Sequence, residues 1–214
     1  MTREALNNSI WSVSLVLQFG LLALMFLRRI AGRIPSFTVL LVFYPVRAAV
    51  LYFLSGHLAK DDFLSLYQGL ALAALVLVIL VATELGWRLW KVLPRARWGL
   101  LAMPVVAAVA AQGLWRSLPT KSLVPADRVE MFGSALMILL FTFALAGRAP
   151  EFLRKVTGGL AAFGLVDLMA TTGKHIAAER RDAAMFAGWS YANSGVYVLV
   201  VLFWMLSLRR QTSE

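Results

Sequence analysis

Residues 64–86 read LSLYQGLALAALVLVILVATELG, a run in which Glu84 is the single charged side chain. Wound as a helix at 1.5 Å per residue, this stretch is about 35 Å long, enough to cross a hydrocarbon layer roughly 30 Å thick. Inside lipid every backbone N–H and C=O must find its partner within the protein, and only helices and closed barrels achieve that. The run is continuously apolar and does not alternate as a barrel strand does, so it reads as a membrane helix.

Outward from this segment the same pattern recurs six times, and spans are predicted at 9–27, 36–55, 64–86, 98–115, 129–147, 154–173 and 186–207. Hydrophobic residues make up 60% of the 214-residue chain, charged residues 15%, and the mean hydropathy is +0.75. About a quarter of an ordinary soluble domain is charged, so a soluble fold is excluded. The expected fold is an all-α membrane protein, one transmembrane domain over 1–214 forming a seven-helix bundle. The first span is followed by Arg28 and Arg29 without a small-residue cleavage signal, and is expected to be a retained helix and not a removed signal peptide.

A net charge of +10 would suggest nucleic acid in a soluble chain. Here the basic residues lie in short connections, where they act as topology signals and headgroup contacts, and no basic helix or aromatic platform points to a nucleic-acid partner. Of the 21 Lys and Arg residues, twelve fall after spans one, three, five and seven, eight fall on the other side, and Arg47 lies within a span. Since cytoplasmic loops carry the excess, the N-terminus is expected outside and the C-terminus inside. Trp11, Trp87, Trp98, Trp115 and Trp189 fall near predicted span ends, where amphipathic rings favour the headgroup region. Pro45 and Pro104 lie within spans and are expected to kink or locally open them. The chain has no cysteine, which removes disulfides, thiolate catalysis and cysteine metal sites.

Two connections echo each other: residues 31–37 read AGRIPSF and residues 146–152 read AGRAPEF. His57 with Asp61, and His175 with Glu179, are each four residues apart at the outer ends of spans two and six. Together they suggest a parallel 3+1+3 duplication, although Gly, Arg and Pro are common in all membrane loops.

The polar residues inside the spans carry whatever chemistry there is. A charge such as Arg47 costs at least ~2.5–3.5 kcal/mol at the centre of a membrane helix, so it should face the interior and find a partner. Counted from the cytoplasmic side, Asp167 lies at nearly the same depth and is the expected counter-ion, in a pair that is either structural or part of an anion-binding or coupling site. Gly164, Asp167, Thr171 and Lys174 share one face of span six; Ser190, Asn193, Ser194 and Tyr197 share one of span seven. With Tyr67 and Gln68 from span three and Gln112 from span four, these stripes either line a polar cavity or supply interhelical hydrogen bonds. The expected ligand-binding set is Arg47, Gln68, Asp167, Thr171, Ser190, Asn193 and Tyr197. Glu84 is expected to pair with Arg88 one turn later. His57, Asp61, His175 and Glu179 offer an alternative zinc or iron set on the outer face, but without any metalloprotease motif, and no cofactor is called for. No P-loop, dinucleotide fingerprint, nucleophile elbow or paired-aspartate motif occurs, and span seven lacks the lysine of a retinal pigment.

The aromatic start of span two with its internal arginine (Phe37 to Arg47), the long third span closing on Glu84 and Trp87, and span six around Asp167 to Lys174 resemble an uncharacterised family of bacterial seven-span integral membrane proteins. The resemblance covers most of the chain, implies a bacterial inner-membrane location and carries over no functional residue. The 3+1+3 plan and N-out topology also look like those of small sugar transporters of the SWEET type, as an analogy of architecture without their motifs.

The expected function is binding or transport of a small polar or anionic solute through an outward-facing polar cavity, with Arg47 as ligand or coupling charge. The alternatives are a sensor or accessory subunit working through a membrane-protein partner, and a membrane enzyme using the outer His and carboxylate residues.

Overall fold

The computed structural model describes residues 3–54, 57–94, 97–118 and 125–209; the side chains of residues 3–8, 10 and 11, Trp11 among them, lie outside the description, as do Arg95, Lys121 and Arg210. The described residues form seven helices: α1 (Arg3–Leu27), α2 (Pro35–Leu54), α3 (Lys60–Val92), α4 (Arg97–Ser117), α5 (Pro125–Ala146), α6 (Glu151–Glu179) and α7 (Ala183–Arg209). Helices α2 to α7 are each long and apolar enough to cross a membrane, and the molecule is a helical membrane bundle. In α1 the stretch Ser12–Leu27 is apolar. Helices α3, α4, α6 and α7 overrun their predicted spans at both ends, α3 by four residues at its start and six at its end, because a helix satisfies its own backbone and need not stop where the apolar run stops. Pro45 and Pro104 sit inside α2 and α4, and each helix continues past its proline.

Three helices end in the same way. Arg29, Arg148 and Arg181 have φ of 53°, 52° and 54°, the left-handed conformation usually left to glycine. Around each, the following amide donates to a carbonyl five residues back: Ile30 to Met25, Ala149 to Ala144 and Asp182 to Ala177. These are Schellman caps, which satisfy carbonyls the helix end would otherwise leave open. Beside the first cap, Ile30 and Met25 are both buried and fix the turn by apolar contact. Asp182 then starts α7 by accepting the Met185 amide through Oδ1 at 2.9 Å.

The connections 31–37 and 146–152 are alike in sequence but differ in structure: Pro35 is the first residue of α2, whereas Pro150 precedes the first residue of α6. Arg148 is itself the left-handed cap, whereas the cap of α1 is Arg29, four residues before Arg33.

The main packing partners are α5 with α6, α6 with α7, α4 with α5, α3 with α5, α1 with α7 and α2 with α3, and α4 sits at the periphery against α5. The core is concentrated at one end. Met25, Ile34, Phe37, Leu85, Leu89, Val156 and Leu208 are all fully or almost fully buried, and all lie near the α1–α2, α3–α4 and α5–α6 connections or the end of α7. This end is also tied by polar contacts. Glu84 accepts from the Ser36 amide at 3.0 Å and from the Ser36 hydroxyl, so α3 caps the start of α2. Arg88 pairs with Glu84 at 3.1 Å, as its spacing predicts, and also donates to the Arg33 carbonyl. At the opposite end the helices enclose a hollow.

Candidate functional site

That hollow is a cavity of about 750 Å³, within the range of small-molecule sites. Its walls come from α1, α2, α3, α5, α6 and α7, and it runs from the bundle middle toward the end bearing the α2–α3, α4–α5 and α6–α7 connections. Each of these six helices contributes at least one polar or titratable side chain to it.

Arg47 lies on α2, seven residues from Leu54 and therefore roughly 10 Å from that helix end. Glu130 lies five residues into α5, at a matching level. Arg47 donates to Glu130 Oε1 at 2.6 Å, both side chains are less than one-fifth exposed, and the guanidinium also stands 5.5 Å from the centre of the Tyr67 ring on α3. The expected pairing of Arg47 with Asp167 is therefore corrected: its direct partner is Glu130. Counting residues gives height along a helix and not the direction a side chain takes around it.

Asp167, on α6, is held by two neutral donors. The Ser134 hydroxyl of α5 donates to Oδ2 at 2.8 Å and the Asn193 amide of α7 donates to Oδ1 at 3.2 Å. The first contact depends on close approach of α5 and α6, since a Cβ on Gly164 would lie 2.9 Å from the Ser134 carbonyl oxygen. Gly159 and Gly173 similarly admit the indoles of Trp204 and Trp189 from α7. Glycines on α6 thus let both neighbouring helices reach the carboxylate.

Beside Asp167, three rings pack edge to face. Tyr44, Phe163 and Tyr197 have centroids 5.4–6.0 Å apart, and all three line the cavity. Toward the opening, His175 of α6 faces Asp127 at the start of α5 at 3.1 Å. On the α1 side Gln18 donates to Ser14 at 3.1 Å, and both face the cavity.

Of the ligand-binding set expected from sequence, Arg47, Asp167, Thr171, Asn193 and Tyr197 line the cavity, as do Tyr67, Lys174 and Ser194. Gln68 and Ser190 are not among its lining residues, and Ser190 instead donates to the Phe186 carbonyl of its own helix. Gln112 lies on the peripheral α4, away from the cavity. Sequence reasoning missed Glu130, Ser134, Asp127, Tyr44 and Gln18. The available signal was Glu130 itself, a carboxylate at the edge of a predicted span with Ser134 one turn further on.

The alternative metal set is not assembled. His57 follows the end of α2 and donates from Nδ1 to the Phe53 carbonyl, Asp61 belongs to the next helix, and both are exposed. His175 and Glu179 do share α6, but His175 is buried against Asp127 while Glu179 is exposed. Among the described residues no group of three or more His, Asp or Glu is placed to hold a metal ion.

No family model matches the chain, and neither does any curated protein or solved structure. Geometry and chemistry alone therefore bear on function.

Proposed function

We propose that this is a seven-span protein of the bacterial inner membrane, N-terminus out and C-terminus in, whose outward-facing cavity binds or moves a small polar solute. The observation that carries the reading is the convergence of Arg47, Glu130, Asp167 and Asn193 from four helices on one hollow. Membrane proteins confine ionisable groups to paths and sites that use them, because each is costly to insert. The bias of basic residues supports the orientation: it puts the tightly packed end at the cytoplasmic face and the cavity opposite.

The packing order supports a parallel 3+1+3 duplication as part of the same reading. Under it α1 meets α7 as α5 meets α3, α1 meets α2 as α5 meets α6, and α2 meets α3 as α6 meets α7. The unequal helix exits at Arg29 and Arg148 weigh on the other side.

Ser194 is exposed at the cavity wall, so Ser194→Trp fills the hollow without displacing core. Small molecules are to be extracted from the full chain purified from native membranes and compared by mass spectrometry with those from this variant. A polar solute carried by the native protein and lost from the variant is the expected result. Identical, solute-free extracts from both would remove the reading.

A further inference from the structure

We infer that the solute carries a protonated primary or secondary amine, recognised by Asp167, Asn193 and the aromatic wall formed by Tyr44, Phe163 and Tyr197. This rests on the cavity being a binding site, as proposed above, and adds the charge and hydrogen-bonding character of what binds.

Charge comes first. Arg47 is already matched by Glu130 at 2.6 Å, so it offers little net attraction to an anion. Asp167, by contrast, forms no ion pair with any described Lys, Arg or His; its contacts are the neutral Ser134 and Asn193 side chains. Lys174 shares its helix face but stands seven residues away, roughly 10 Å along the axis. The inner part of the cavity therefore holds a carboxylate whose hydrogen-bond donors are neutral side chains.

Hydrogen-bond sense comes second. Asn193 gives its Nδ2 to Asp167, and that fixes the amide with its oxygen turned away. Asn193 Oδ1 and Tyr197 Oη are both buried, and among the described residues neither has a hydrogen-bond partner. Asp167 and Asn193 thus present acceptors, and the Tyr197 hydroxyl can accept as well. Buried acceptors call for a ligand rich in N–H donors, which a primary or secondary ammonium is and a carboxylate or phosphate is not.

The third observation is the aromatic wall. Ring faces attract a desolvated cation, and flanking apolar surface suits the carbon skeleton of an amine. An anion would meet the same rings and the same carboxylate unfavourably.

Three probes of one shape and different charge test the inference: 2-phenylethylamine, 2-phenylethanol and phenylacetate, titrated against the full chain in nanodiscs with binding read by thermal shift and calorimetry. The amine is expected to bind about tenfold or more tighter than the other two, the worth of a charge-assisted hydrogen bond. In Asp167→Asn that advantage should fall by a similar factor while binding of 2-phenylethanol is unchanged. Equal binding of all three, or tighter binding of phenylacetate, overturns the amine inference and leaves the cavity a binding site. An amine advantage that survives Asp167→Asn overturns the role of Asp167. No binding of any probe by the folded native chain overturns the amine inference, and the extraction comparison with Ser194→Trp separately decides the reading beneath it. Should Asp167→Asn fail to fold, the three-probe comparison on the native chain still decides.

Discussion

Arg47 and Glu130 neutralise each other inside the bundle, and neither would be tolerable there alone. A buried ion pair is weak evidence for stability as such, because desolvation of both charges offsets their attraction. Removing one partner is another matter, since it leaves an uncompensated charge in a low-dielectric interior. Arg47→Leu or Glu130→Leu alone should therefore cost about 3–5 kcal/mol, whereas the Arg47→Leu/Glu130→Leu double substitution should cost far less than the sum. Equilibrium unfolding of the four proteins in mixed micelles measures the coupling; additive losses would mean that the 2.6 Å contact is not an energetic pair. The same two residues show where sequence reading reaches its limit. A lone arginine in an apolar run announces itself, and that it would seek a carboxylate follows from electrostatics. Which carboxylate it finds does not, because Glu130 stands at the edge of a predicted span and reads as an interfacial residue. Helix α5 begins at Pro125, four residues earlier than that span, and this extra turn carries Glu130 into the interior.

At the level of the helix, α6 is the element on which the site depends. Its Gly164 brings α5 within backbone contact, and one turn further on Asp167 receives the Ser134 hydroxyl from the same helix. A methyl at Gly164 would press on a carbonyl oxygen, and backbone cannot swing aside as the end of a side chain can. Gly164→Ala should therefore destabilise by about 1–3 kcal/mol, the range for overpacking, despite the better helix propensity of alanine. Gly188 on α7 supplies the contrast, having open space where its Cβ would be. Gly188→Ala should be neutral or slightly stabilising, and a thermal-melt comparison separates the two. If both behave alike, close packing at Gly164 is not what holds α5 against α6. The stripe of small and polar residues on α6 was legible as one face, because helical periodicity sets it. Its neighbours were not, since the partners of a helix face are chosen by the tertiary arrangement. The helix exits were equally hidden: nothing in the composition marks Arg29, Arg148 and Arg181 as left-handed caps, a conformation in which glycine or asparagine would be expected.

Over the whole molecule, the asymmetry between a packed end and a hollow end is what gives the bundle a direction. The apolar runs made the number and approximate bounds of the helices readable, but both ends are built from similar apolar stretches, and only packing separates filled space from empty space. The distribution of basic residues then links that asymmetry to the two sides of a membrane. Because the chain contains no cysteine, a single introduced thiol reports its surroundings without background. Three positions differ in the solvent they should meet. Ser194 lines the cavity some eleven residues into α7, Gly32 is exposed in the α1–α2 connection at the packed end, and Val109 is exposed on the outer surface of α4. Maleimides react with the thiolate, which forms in water and not in lipid. With an impermeant maleimide applied to spheroplasts, Ser194→Cys should label, Gly32→Cys should label only after the membrane is opened, and Val109→Cys should stay unreactive in both conditions. Labelling of Gly32→Cys from outside, with Ser194→Cys protected until lysis, would reverse the orientation. A Ser194→Cys as inert as Val109→Cys would instead mean that water does not reach the cavity wall, and a polar solute could not reach Asp167 by that route.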